Sequence, residues 1–371
     1  MAQPAAIRGS QFAVQSVELR KLVSKRRFRK SVMLNASLQG FVRVSMMKNE
    51  ILAASIVLLS VSAVTASAME GGTGAYLLGS RDTFAGIVGK PGTTIVTNNL
   101  FYWHGDGPTL SIGGFAVTNP EVDISVYRVD IAHFFDVELL GGTPGIILSI
   151  PGGTGTLGAS GVVGRFSGSV EDPNTGFSDP AVTAVLGWHE GNLHYSAGVS
   201  FFLPWGKYNS ATVFIGPPPE IDDFLNYGKN RLTIMPVVAA TYFDPASGFE
   251  ISGALSMEFP FENKATNWKT APILNVEGAV LQHFPNGLAL GITGYGSRQI
   301  GEDSGDGADA FKNTLDAKSL KARVFGFGPI LTYNTKFDET PVSFKLKYTH
   351  EFAAKRRFES DIFSLSANVS F

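Results

Sequence analysis

The sequence contains no cysteine among its 371 residues. This absence excludes a disulfide framework, thiolate chemistry, thiolate metal sites and an acylated lipoprotein cysteine. Beyond Ala68 there is also no apolar run of the roughly 20 residues that a membrane-spanning helix needs, and almost no sustained helical periodicity. A membrane-spanning helix is therefore not expected in that part of the chain.

A leader-like segment lies upstream, where residues 47–68 read MKNEILAASIVLLSVSAVTASA. A short polar start with Lys48, an apolar run and small residues before Ala68 are typical of a secretory signal peptide, and we expect cleavage after Ala68. A transmembrane anchor is the alternative, because the apolar run nearly reaches spanning length. Residues 1–46 are basic and poorly patterned, and we predict either a spurious extension or a long basic n-region outside the fold.

The remaining chain is acidic. Residues 1–68 hold ten of the 30 basic residues and two of the 32 acidic ones, so residues 69–371 carry a net charge of about −10. Binding to phosphate backbones needs a basic surface, and nucleic acid is therefore not an expected partner.

Alternation of apolar and polar residues recurs throughout residues 94–371, for example in FEISGALSMEF at 249–259. In a soluble sandwich the apolar face would pack inward and the polar face would meet water. In an outer-membrane barrel the apolar face meets lipid and the polar face lines the lumen. Alternation alone leaves both folds open.

The lengths of the connections favour the barrel. Short turns are predicted around 141–142, 190–192, 244–248, 285–287 and 337–340, whereas the connections 152–179, 204–230 and 298–319 are long. Twelve strands with short turns at one end are typical of bacterial outer-membrane barrels. The predicted strands are 94–103, 121–138, 145–151, 180–189, 193–203, 231–243, 249–259, 272–283, 288–297, 320–335, 341–352 and 361–371. We therefore predict an all-β, antiparallel transmembrane β-barrel of about 12 strands in residues 94–371.

Aromatic residues support the same fold, because many lie at or near predicted strand ends, where outer-membrane barrels carry aromatic girdles. Core aromatics of a sandwich are the alternative. The chain ends on FSLSANVSF, and its terminal Phe371 resembles the assembly signal that barrel insertion machinery reads. Outer-membrane lipid and that machinery are the expected partners.

Several stretches carry a family resemblance: GTGAYLLGSRDTFAGI, NNLFYWHGD, VLGWHEGNLHYSAGVSFFLPWGKY, GKNRLTIMP, TYFDPASGFEISGALSMEFPFEN and QHFPNGLALGITGY. In order, they resemble the outer-membrane proteins of the phenol-degradation meta-pathway (MetA) family, relatives of porin-like transporters for hydrophobic compounds. The resemblance covers essentially all of residues 69–371. It implies an outer-membrane barrel that passes small hydrophobic or aromatic molecules inward, and it supplies no catalytic or ligand residues.

Charged residues that alternate into the predicted lumen are the candidate selectivity residues. Two explanations stay open: the charges select what passes, or they satisfy one another across a narrow barrel. Asp123, Arg128 and Asp130 break the alternation of the second strand, so a bulge is expected there. The candidates are Glu250, Glu258, Glu277, Lys321, Arg323, Lys345, Lys347 and Glu351.

Residues 69–93 precede the first strand and do not alternate, yet they are too apolar for an exposed tail. We predict that they fold into the periplasmic side of the lumen as a plug. In this prediction Tyr76 belongs to the plug, and Arg81 or Asp82 pairs with wall charges. A loose periplasmic arm is the alternative.

The remaining motifs indicate no enzyme, cofactor or metal site. Gly153, Gly155 and Gly158 have the spacing of a dinucleotide motif, but no helical pattern follows, so an extracellular loop is expected. The acidic stretch 302–310 is predicted to be a solvated loop, and no histidine has metal-ligand spacing on a helix. The expected function is passive uptake of small hydrophobic or aromatic compounds. A surface protein whose long loops bind a ligand is the alternative, and a barrel enzyme ranks third.

Overall fold

The computed structural model describes residues 69–107, 110–112, 115–117, 119–159, 170–209, 212–214, 220–222, 225–314 and 316–371. The expected signal peptide and residues 1–46 lie outside these described residues. Within them, no helix has both the length and the apolar character to cross a membrane.

Twelve antiparallel strands form a closed barrel, as predicted. Each strand pairs with its neighbours, and the strand that begins at Thr94 pairs with both the strand that begins at Pro120 and the strand that begins at Glu359, so the sheet closes on itself. The strands are β1 (Thr94–Asp106), β2 (Pro120–Phe134), β3 (Thr143–Ala159), β4 (Ala181–Glu190), β5 (Leu193–Phe202), β6 (Thr233–Asp244), β7 (Phe249–Pro260), β8 (Ile273–His283), β9 (Leu288–Gln299), β10 (Arg323–Phe337), β11 (Thr340–Lys355) and β12 (Glu359–Ser370).

The connections differ between the two ends of the barrel. The turns at 135–142, 191–192, 245–248, 284–287 and 338–339 are at one end. Outer-membrane barrels place their short turns in the periplasm, so we name this the periplasmic end and the other the extracellular end. The extracellular connections carry helix α1 (Asp306–Thr314) and the short strands Leu110–Ile112, Phe115–Val117, Thr212–Phe214, Glu220–Asp222, Glu262–Asn263 and Trp268–Lys269.

Burial along the strands follows the two-residue period, with the apolar face outside. In β7 the side chain of Leu255 is 46% exposed, whereas that of Glu258 is 1% exposed and faces the lumen. Water outside the barrel would disfavour this arrangement, and a lipid bilayer favours it. The sandwich alternative is therefore excluded.

The end of the chain takes part in closure. The N–H of Phe371 donates to the carbonyl oxygen of Thr94 at 2.8 Å, and the N–H of Thr94 donates to the carbonyl oxygen of Phe371 at 3.1 Å. The Phe371 side chain is 71% exposed at the periplasmic end. Its recognition by insertion machinery stays a prediction.

The bulge expected in β2 is absent, because β2 pairs residue for residue with β1 and β3. Asp123 points outward at the extracellular rim, where water reaches it, while Arg128 and Asp130 point inward and pair at 2.9 Å. The register therefore needs no correction to accommodate these charges. In the strands that the structure describes, a shift in the pairing register occurs instead between Arg323 and Phe325 of β10, where it pairs with β11.

The glycine-rich stretch at 152–159 was also placed wrongly, because it belongs to β3 and not to a loop. It pairs with the strand Val170–Phe177, so the β3 ladder continues into the extracellular region. At Gly155 a Cβ atom would lie 2.3 Å from the carbonyl oxygen of Asp123. The glycine there thus permits close approach of two strands, which is the common structural use of a strand glycine.

A charge on the lipid face tests the membrane position of the barrel. Ile292 in the middle of β9 and Ile300 just beyond its extracellular end are both exposed and apolar. We expect Ile292→Arg to lower the free energy of unfolding by about 2–4 kcal/mol, and Ile300→Arg by about 0–1 kcal/mol, because the cost depends on depth in the bilayer. Denaturant titration of the protein in lipid vesicles measures both. Equal costs would contradict the proposed depth.

Candidate functional site

The segment of residues 69–93 lies in the lumen and runs along its full height. At the extracellular end, Glu70 accepts a hydrogen bond from Arg231 Nη1 at 2.8 Å. Near the periplasmic end, the N–H of Phe84 donates to Glu250 Oε1 at 2.6 Å. The segment was expected only at the periplasmic side of the lumen, whereas it also extends to the extracellular end. The partners of these two bonds, Arg231 and Glu250, lie near opposite ends of the barrel.

Asp82 makes the ion pairs that join the segment to the wall. Its buried carboxylate lies 2.7 Å from Lys345 Nζ and 2.9 Å from Lys347 Nζ, both on β11. Arg81 instead lies with its guanidinium 5.1 Å from the centre of the Tyr76 ring, a cation–π arrangement. Of the two residues proposed to pair with the wall, Asp82 is therefore the one that forms salt bridges with it.

Three wall carboxylates on β7 and β8 accept hydrogen bonds from the segment. This arrangement compensates buried charge, because a carboxylate without donors in the lumen would carry a large desolvation penalty. The bonds run from the Ala75 N–H to Glu258 (2.9 Å), from the Tyr76 hydroxyl and the Gly79 N–H to Glu277 (2.5 Å for the hydroxyl), and from the Thr83 hydroxyl to Glu250 (2.9 Å).

The remaining selectivity candidates divide between the lumen and the outside. Glu351 faces the lumen, where it pairs with Arg357 at 3.0 Å. Lys321 lies in the connection before β10, 3.9 Å from Glu302, and not in the lumen. Arg323 is in β10 but is exposed on the outer face. Both lumen assignments were wrong because β10 begins at Arg323, and alternation turns Arg323 outward together with Phe325.

A cavity of about 200 Å³ occupies the extracellular half of the lumen, above the middle of the segment. Sequence analysis missed it because the cavity forms only where the wall, the segment and the connection 225–231 meet. The one local signal was a lumen face of β2 that is apolar where other strands carry charge. The cavity lining includes Thr73, Tyr76 and Leu78 of the segment, Trp103 of β1, Val122, Ile124 and Val126 of β2, Leu157 of β3, and Tyr227 and Lys229 of the connection.

The connection 225–231 is held against the cavity by Asp179. One oxygen of this buried carboxylate accepts the N–H of Gly206 at 2.9 Å, and the other accepts the N–H of Lys229 at 2.7 Å. Lys229 then reaches the segment, where its Nζ donates to Thr73 Oγ1 at 2.8 Å. Burial lowers the pKa of Lys229 to about 8. Lys229 therefore carries its charge at neutral pH and loses it as the pH rises through about 8.

A possible metal-ligand group lies outside the cavity. Ligand atoms of His104, Glu121 and Asp123 lie within 4.8 Å of one another, on the exposed faces of β1 and β2. Sequence spacing could not show this group, because the register of two strands sets His104 opposite Asp123. Exposed groups of this kind are common without an ion, and we assign it no metal role.

The acidic stretch 302–310 does not form the solvated loop that was expected. Asp303 is buried and accepts hydrogen bonds from Trp268 Nε1 at 2.9 Å and from the Ala271 N–H at 2.8 Å. Trp268 in turn packs with Met69 and Phe311 of α1 in an apolar cluster. Burial raises the pKa of Asp303 to about 7. This carboxyl group organises the extracellular connections around the start of the segment.

A closed barrel of twelve strands with an apolar outer face and a polar lumen defines the class: a bacterial outer-membrane β-barrel. Residues 105–367 match the family model described as "Putative MetA-pathway of phenol degradation". The chain belongs to this family, and the predicted resemblance is confirmed. Among curated proteins, no sequence matches this chain.

Among solved structures, the COG4313 outer membrane channel from Pseudomonas putida F1 has a similar fold. It is 16% identical, covers 78% of this chain and 98% of its own, and gives a TM-score of 0.59. The translocator domain of the autotransporter NalP from Neisseria meningitidis (12% identity, 76% and 89% coverage) gives a TM-score of 0.39. The beta domain of the Bordetella autotransporter BrkA (8% identity, 74% and 98% coverage) gives a TM-score of 0.40. The last two scores are too low to support a detailed comparison.

Replacing Asp82 tests the attachment of the segment. We expect Asp82→Ala to lower the free energy of unfolding by about 3–5 kcal/mol, because it leaves the buried Lys347 without its carboxylate partner. The matched control is Glu339→Ala, which breaks the exposed pair with Lys336. Denaturant titration should show no measurable change for that control. A similar small change for both variants would show that the Asp82 ion pairs do not stabilise the barrel.

Asp303 predicts a pH dependence of stability. Its folded-state pKa of about 7 lies above the ordinary value of 3.8, so the folded protein binds this proton more tightly than the unfolded chain. The contribution is complete below about pH 4 and is lost as the pH rises through 7. Relative to Asp303→Asn, the protein should thus lose stability between pH 4 and 8 in denaturant titrations. Asp338→Asn, in the periplasmic turn, serves as control and should follow the unchanged protein. If the stability of Asp303→Asn and that of the unchanged protein varied with pH in parallel, the raised pKa of Asp303 would be contradicted.

Proposed function

We propose that this protein is a channel through which small hydrophobic or aromatic compounds enter across the outer membrane. The observation that carries the proposal is the apolar cavity in the extracellular half of the lumen. Charged residues such as Glu258 and Arg357 also reach this cavity, but Trp103, Val122 and Ile124 belong to a lining that is mostly apolar, as a site for a hydrophobic solute requires. The similar fold of a protein named as an outer membrane channel, and the family's reference to phenol degradation, add support.

The size of the cavity sets the size of the solute. A dry cavity of about 150 Å³ is large enough to bind benzene. A cavity of about 200 Å³ therefore accommodates one aromatic ring with a small substituent. In this proposal, passage is passive and follows the concentration gradient of the solute, and the protein carries out no chemistry on it.

The segment acts as the plug of this channel. It fills the lumen below the cavity, and its contacts with Glu250, Glu258, Glu277, Lys345 and Lys347 hold it there. These wall charges therefore anchor the plug and do not select ions in open water. Breaking the buried pairs of Asp82 would cost several kcal/mol. The resting channel is accordingly closed to large hydrated solutes, and a solute in the cavity moves on only when plug residues shift.

The plug in the lumen also favours a second function, that of a surface protein that binds a ligand without transporting it. If the plug stays in place, the cavity and the connection 225–231 form a ligand-binding surface, and the bound compound does not cross. The two functions differ in one observable: a channel moves the solute into the cell, whereas a surface receptor only retains it.

Uptake by cells separates these functions. We expect cells with the protein to take up a labelled single-ring aromatic compound faster than cells without it. Val126→Asn should slow this uptake about fivefold or more, because an amide in the apolar wall costs roughly 1 kcal/mol or more when solute displaces its water. The control is Val137→Asn, at an exposed position in a periplasmic turn.

Equal uptake with and without the protein would refute the channel. Binding of the compound without uptake would support the surface-receptor function. Planar-bilayer conductance of the refolded protein adds an independent measure, since a solute that enters the lumen should reduce the ion current.

A further inference from the structure

Lys229 differs from the other cations that line the cavity because its ammonium group has no carboxylate beside it. Arg231 pairs with Glu70 at 2.8 Å, and Arg357 pairs with Glu351 at 3.0 Å. Within the described ranges of the chain, no carboxylate oxygen lies within 4.0 Å of Lys229 Nζ, and the hydrogen bond from Nζ goes to Thr73 Oγ1.

The acids around Lys229 are already engaged by donors other than its ammonium group. Glu70 is held by Arg231, Glu258 accepts backbone N–H groups of the segment, and Asp179 accepts two backbone N–H groups. An ammonium group has three N–H donors. Two of them on Lys229 are left for a group that enters the cavity, and a partly buried cation without an anion beside it carries a desolvation penalty.

The local backbone keeps this ammonium group uncovered. Gly71 has a φ of +76°, and a Cβ atom at this position would lie 3.3 Å from Lys229 Nζ. Because glycine has no Cβ, the space beside the ammonium group stays open. The oxygen of the Thr73 hydroxyl accepts from Lys229, so the hydroxyl hydrogen can donate to a bound group. Two donors therefore lie side by side in the lining of the cavity.

We propose that the cavity binds a single-ring aromatic carboxylate, held at its carboxylate by Lys229 and Thr73 and at its ring by the apolar wall of β2. This inference rests on the proposed function and names the solute class for it. The ring faces Val122, Ile124 and Val126, and the volume of about 200 Å³ matches one ring with one small charged group. The carboxylate supplies the anion that Lys229 lacks, in a site from which water is largely displaced.

Calorimetric titration of the folded protein in detergent tests the proposal with benzoate and its neutral, similarly shaped analogue benzamide. At pH 7 we expect benzoate to bind about tenfold or more tightly than benzamide, as a charge-assisted hydrogen bond is stronger than a neutral one. Lys229→Met should remove this preference, Lys229→Arg should keep most of it, and benzamide binding should change little. Lys336→Met, at an exposed position near the periplasmic end of β10, is the matched control and should behave as the unchanged protein.

The pH profile adds a readout that a purely structural lysine would not show. Since the pKa of Lys229 is about 8, benzoate affinity should fall above that pH while benzamide affinity stays constant. Glu70, Asp179, Arg231 and Glu258 face the same site, and the Lys229→Met profile separates their titration from that of Lys229. Folding of each variant is checked by the heat-dependent shift of the barrel in gel electrophoresis.

The outcomes distinguish this inference from the proposed function. Equal affinities for benzoate and benzamide, or an unchanged preference in Lys229→Met, would overturn the carboxylate class. If benzyl alcohol binds while benzoate does not, the class is also wrong and the channel for neutral compounds stands. If no aromatic probe binds and none is taken up by cells, the proposed function fails together with the inference.

Discussion

Hydrogen bonding between β1 and β12 is the constraint on which the rest of the structure depends. In the hydrocarbon region an unpaired backbone group costs several kcal/mol, so a sheet can cross the bilayer only when its first and last strands pair. The register from Ile95 opposite Ser370 to Asp106 opposite Glu359 satisfies this requirement along the whole seam. Closure separates the lumen from lipid, and only then can polar side chains be placed on the inner face of every strand.

A lumen with charged walls needs partners for its buried charges, and the segment of residues 69–93 supplies them. Glu250, Glu258 and Glu277 stand on one wall and Lys345 and Lys347 on another, as the alternation predicted. These charges do not pair directly across the barrel. The segment lies between them and offers backbone N–H groups to the acids and Asp82 to the lysines. Where the wall of β2 becomes apolar, the segment and wall leave a cavity instead of a contact.

Much of the fold could be predicted because its determinants are local. Alternation in residues 249–259 specified both the extent of β7 and the face of each side chain, and turn residues marked the periplasmic connections. The period of two does not tell where lipid ends and water begins, so Asp123 resembled a break in the pattern when it lies at the wetted rim. The same limit misplaced Arg323, whose strand begins at that residue.

The candidate site was less predictable because its contacts join residues far apart in the chain. Nothing near Asp303 in the sequence indicates that Trp268 covers it, and nothing near Lys229 indicates Thr73. The polar type of each residue was visible, whereas its partner depended on how the connections fold over the barrel mouth. Sequence patterns therefore identified the wall, and the three-dimensional structure was needed to find what the wall encloses.

The path of the segment also constrains the order of events during assembly. Met69 is 2% exposed among extracellular side chains, and the chain then descends through the cylinder to begin β1 at the opposite mouth. If β1 and β12 paired first, the segment would have to pass lengthwise through the closed barrel, along its charged walls. This barrier is avoided if the sheet curls around the segment while the segment is already in position. The pairing of β12 with β1 is then the step that encloses the segment, and the lumen is filled as soon as it forms.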